Sequence, residues 1–93
     1  MSSKSFPNVT QVIWNCVQNT SEQQHQTVYT PPSPSNSGTS STPAAGGHVD
    51  LAFDFDPSTN SVTYTITHQP FIVTDKEIWD GIQGTIDACS KPG

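Results

Sequence analysis

His25, His48 and His68 are the side chains of this sequence that exchange protons near neutral pH, and two of them bracket a run of aspartates. The stretch HVDLAFDFDPSTNSVTYTITH, residues 48–68, alternates apolar and polar residues on both sides of a turn signal. Pairing its halves about that turn sets His68 opposite Val49, with His48 next to it on the other face. An imidazole working with Asp50, Asp54 or Asp56 is the equipment of a small hydrolase, one group taking a proton and another returning it. Phosphate chemistry would also need a cation against the developing charge. The sequence contains no arginine, and its lysines, Lys4, Lys76 and Lys91, lie outside this stretch. His48 and His68 therefore read as solvent-facing residues at strand ends, candidates for binding rather than catalysis. A hydrolase using His48 or His68 with the nearby aspartates is the alternative.

Asp54, Asp56, Ser58 and Asn60 imitate the alternating ligands of a calcium loop, but glycine is missing at the sixth position and glutamate at the twelfth. Asp and Asn are expected at a turn in any case. The Cys and His spacings fit no zinc pattern. A Gly-x-Ser-x-Gly elbow and a phosphate-cradling glycine loop are both absent. The sequence calls for no metal and no cofactor.

The sequence has two cysteines, Cys16 and Cys89. Over residues 8–19, Val9, Val12, Ile13, Cys16 and Val17 recur at helical spacing, with Asn8 as a cap. A strand showing Val12, Trp14 and Cys16 on one face accounts for fewer apolar positions. Near the other end, Thr74 and Glu77 form a capping box, followed by Ile78, Trp79, Ile82, Ile86 and Cys89 as a second apolar stripe. Gly81 and Gly84 weaken that helix by roughly 1 kcal/mol each, either for close packing or by simple tolerance. Helices lying side by side bring Cys16 and Cys89 together. A disulfide closing so long a loop contributes on the order of 4 kcal/mol, a large share for a small domain. Two free buried thiols are the other possibility and point to a cytosolic accessory protein. Trp14 falls off the first stripe, so it is either an exposed anchor for a partner or packed under the long loop at 30–47.

Between these helices the elements are coarser. Residues 26–30 fit a short strand. Residues 30–47, rich in Ser, Pro, Thr and Gly, read as a flexible loop with nothing to bury. The hairpin is the clearest signal. A loop over Pro57, Ser58, Thr59 and Asn60 pairs Phe55 with Val62, Phe53 with Tyr64 and Leu51 with Ile66, so turn chemistry and periodicity choose one register. Residues 70–73 fit a short strand or the approach to the last helix.

With 93 residues the chain is one domain, 1–93. A net charge of −5 without arginine excludes phosphate-backbone binding, so no nucleic-acid partner is expected. No apolar run approaches the ~20 residues of a membrane span, so no insertion is expected. The opening MSSKSFPNV has no apolar signal core, which fits a cytosolic or a processed chain. A disulfide, with sequons at Asn8-Val9-Thr10 and Asn19-Thr20-Ser21, favours a secreted or periplasmic setting. In outline, a small acidic domain with a helix-borne disulfide resembles secreted fungal effector and killer-toxin proteins. Trp14-Asn15-Cys16 is similar to the aromatic-x-Cys element of some effectors, although many of those proteins carry more cysteines. The expected fold is two-layer α+β, with an antiparallel sheet built on the central hairpin and two helices packed on one face. The expected function is that of a small non-catalytic extracytoplasmic protein of binding, inhibitory or effector type. It acts through surface contacts on another protein or a surface glycan.

Overall fold

Along the chain run β1 (Ser3–Phe6), α1 (Gln11–His25), β2 (Val28–Thr30), β3 (Ser37–Ala44), β4 (Gly47–Asp56), β5 (Ser61–His68) and α2 (Asp75–Ser90). They are seen in a computed structural model that describes residues 2–91. The strands form one antiparallel sheet in the order β1-β5-β4-β3-β2, and the helices give a two-layer α+β fold. The β4–β5 hairpin has the expected register, with Phe55 opposite Val62, Phe53 opposite Tyr64 and Leu51 opposite Ile66. Its loop is held by Asp56, whose Oδ1 accepts from the Ser58 N–H at 2.9 Å and the Ser58 hydroxyl at 2.6 Å. Asn60 takes the left-handed conformation at φ 52°.

Alternation sends Val49, Leu51, Phe53, Phe55, Val62, Tyr64 and Ile66 to the inner face, where all are buried. The outer face carries a hydroxyl ladder, Ser3 to Thr65 at 2.8 Å and Ser5 to Thr63 at 2.6 Å. β1 escapes sequence detection because Phe6 is its single apolar residue, and one residue makes no period.

The loop expected over 30–47 is corrected by the structure. Ser37–Ala44 is a strand paired on both sides, with β4 and with β2. Its inward positions are Gly38, Ser40 and Thr42, so the strand has no apolar alternation to read. Gly38 sits at φ 146°, where a Cβ would collide with the Thr30 carbonyl and the Pro31 ring. Ala45 and Gly46 form the two-residue turn to β4, with Gly46 at φ 85°.

α1 is also shifted. Its cap is Thr10, whose Oγ1 accepts from the Ile13 N–H at 3.3 Å, whereas Asn8 is left-handed at φ 61°. Val9 precedes the helix and is fully buried, with its N–H bonded to the Asn60 carbonyl at 2.8 Å. Counting the helical period from Val9 therefore rotates the face: Val17 is buried and Ile13 and Cys16 are half-buried as expected, but the centre of the inner face is missed. Trp14, Val17 and Gln18 point inward, while Val12 is 77% exposed. α2 follows expectation, with the Thr74–Glu77 capping box formed and Ile78 and Ile86 buried. Among the described residues no helix is long and apolar enough to cross a membrane.

Candidate functional site

Trp14 is not an exposed anchor. It is fully buried, stacks on Phe55 at 5.7 Å between ring centroids, and donates its Nε1–H to the Ser35 carbonyl at 2.8 Å. It lies under the irregular segment 31–36, which is the second of the two expectations. The buried amide of Gln18, which sequence reasoning missed, fixes the same segment: its Oε1 accepts from the Ser35 N–H and its Nε2 donates to the Ser35 hydroxyl, both at 3.1 Å.

The histidines sit differently from the simple hairpin register. A register shift between Asp50 and Leu51 inserts Thr67 as an extra residue on β5, so His68 lies opposite Asp50 and not opposite Val49. That extra residue turns His68 to the outer face, where its ring centroid is 4.7 Å from that of His48. His48 Nδ1 is 2.9 Å from Asp50 Oδ1. Desolvation pushes the Asp50 carboxyl up, but hydrogen bonds from Ser41 and His48 and the charges of His48 and His68 outweigh it and hold the group below its ordinary value. The pair stands on the sheet face that carries no helix, whereas His25 ends α1 on the other side. Among the described residues no group of three or more His, Cys, Asp or Glu side chains is disposed to hold a metal ion.

Cys16 and Cys89 form the disulfide, with Cα atoms 5.8 Å apart. It joins the first half of α1 to the last turn of α2. Beyond that joint the inner layer divides. One half is filled by Trp14, Phe6, Phe53, Phe55 and Tyr64. The other half, between the C-terminal part of α1, the N-terminal part of α2 and the sheet, holds a partly open cavity of about 280 Å³.

The cavity walls are Val17, Val49, Leu51, Ile78 and Ile82, interspersed with hydroxyls. Some of these hydroxyls are satisfied internally. Thr27 and Thr42 bond each other at 2.7 Å, and Ser21 bonds the Tyr29 phenol. Tyr64 and Ser40 differ. They are 3% and 5% exposed, both line the cavity, and no hydrogen bond is made by either hydroxyl among the described residues. Burial pushes the Tyr64 phenol well above its ordinary pKa, with a further push from Tyr29. Burial also raises Tyr29, against the lowering effect of its bond to Ser21. At the mouth is Gly81, where an added Cβ would meet no atom within 4 Å. The same holds for Gly84, so close packing does not account for either glycine.

No family model, curated protein or solved structure matches this chain.

Proposed function

We propose that this is a non-catalytic, extracytoplasmic binding protein that takes a small molecule into the cavity between its helices and its sheet. One observation carries the reading: a partly open, mostly apolar cavity of about 280 Å³ lies between the helices and the sheet, and the nearly buried Tyr64 is among its walls. Protein interiors are otherwise close-packed, and a void of this kind costs stability that a bound molecule restores. Binding sites are typically such spaces, apolar with a few convergent polar groups.

The groups of the hydrolase alternative come together away from this cavity. His48, His68 and Asp50 lie on the opposite face of the sheet. Glu77 borders the cavity, but its Oε1 accepts from the Thr74 N–H and hydroxyl in the helix cap, both at 3.1 Å. The disulfide supports an oxidising compartment, and both sequon asparagines, Asn8 and Asn19, are exposed.

The test uses 2-naphthol, an uncharged fluorophore whose emission changes on transfer from water to apolar surroundings. Wild type should bind it saturably, and Gly81→Phe should weaken binding at least about tenfold by occupying the mouth. Gly→Phe also improves helix propensity, so the variant stays folded. Absence of saturable binding, or equal binding by the variant, rules out the cavity as the site.

A further inference from the structure

Resting on that reading, we infer that the cavity selects an uncharged ring molecule carrying a hydroxyl, which pairs with the Tyr64 and Ser40 hydroxyls. The polarity of the walls comes from hydroxyl groups. Besides the two tyrosines, the ionisable side chains that border the space, His25 and Glu77, are exposed at its rim. The lysines are elsewhere: Lys4 lies over the Phe6 ring, Lys76 bonds Asp80 at 2.6 Å, and Lys91 follows α2. An anion or cation entering would leave its hydration shell with no opposite charge waiting inside, which is a heavy penalty.

A wholly apolar molecule meets a different obstacle. It would cover Tyr64 and Ser40 and strip both hydroxyls of water without giving a hydrogen bond in return. A ligand hydroxyl can accept from one and donate to the other, because each of the three groups is both donor and acceptor. Sites with buried groups waiting for a hydroxyl discriminate sharply against analogues that lack it. The apolar walls and the volume of about 280 Å³ suit one or two fused rings, at the small end of ligand pockets.

The experiment compares 2-naphthol, naphthalene, 2-naphthoate and 2-naphthylmethylammonium by calorimetry at neutral pH. In wild type, 2-naphthol should bind at least about tenfold tighter than naphthalene, and both ions should bind more weakly than 2-naphthol. Tyr64→Phe removes one oxygen without changing the ring. It should weaken 2-naphthol about tenfold and leave naphthalene unchanged or slightly tighter; Ser40→Ala should act in the same direction. Naphthalene binding as well as 2-naphthol in wild type overturns the hydroxyl selection while leaving the cavity as a binding site. So does an equal loss for both molecules in Tyr64→Phe, which marks a packing role. A charged analogue binding tightest overturns the neutrality of the ligand. Failure of all four to bind overturns the binding site itself.

Discussion

Tyr64 and Tyr29 are the two tyrosines of the chain, and burial raises the pKa of both. A phenol whose folded pKa is raised stabilises the fold fully below its unfolded value, about 10. That contribution is lost as pH rises toward the folded value, because the unfolded chain gives up its protons first. Phenolate absorbance should therefore stay absent just above pH ~10 while the protein is folded, and appear together with loss of the circular dichroism signal. A phenolate signal that develops in the intact fold near pH ~10 would show that burial does not raise these phenols above their unfolded value. Tyr64 was legible in the sequence as an inner residue of the hairpin, by alternation alone. Its unpaired hydroxyl was not, because what surrounds it comes from α1, α2 and β3, whose faces depend on tertiary packing. Trp14 shows the same limit. Its place on the helix depends on where the helix starts, and two cap-like residues, Asn8 and Thr10, compete for that position.

The elements divide by how much of their own stabilisation they encode. The β4–β5 hairpin and α2 carry apolar period, turn chemistry and cap in agreement, and both form as read. β3 carries none of these. Its residues are held in place by neighbours on both edges, and Ser40 and Thr42 face the cavity instead of a packed core. A segment that would be dispensable as a loop is therefore an interior strand. Replacing residues 34–45 with a short Gly-Ser link should unfold the domain, since it removes the ladder joining β2 to β4 together with the Ser35 contacts of Trp14 and Gln18. Circular dichroism and the dispersion of an NMR spectrum decide this. A folded deletion variant would show that β3 contributes little to the sheet.

For the whole molecule, the disulfide and the cavity are complementary parts of one helix layer, closed at one end and open at the other. The pairing of Cys16 with Cys89 could be anticipated because each falls on or beside an apolar stripe, even though the stripe of α1 was rotated. The cavity could not, because a void leaves no residue signature beyond small side chains such as Gly81 and Ser40. Cys89→Ala should lower the unfolding free energy by on the order of 4 kcal/mol in the chain-entropy description, measured by urea denaturation under oxidising conditions. Wild type and variant unfolding at the same urea concentration would leave the bridge without a role in stability.

The same bridge decides how the protein responds to being pulled. Cys16 and Cys89 are 73 positions apart. Tension applied near residues 2 and 91 therefore runs through sulfur and bypasses the sheet from β2 to β5. Only β1, with the short segment up to Cys16, can be drawn out, a contour gain of at most about 50 Å. Reduction would release a further ~250 Å of chain. Once β1 has been stripped from β5, the cavity-bearing part of the oxidised molecule carries no further load.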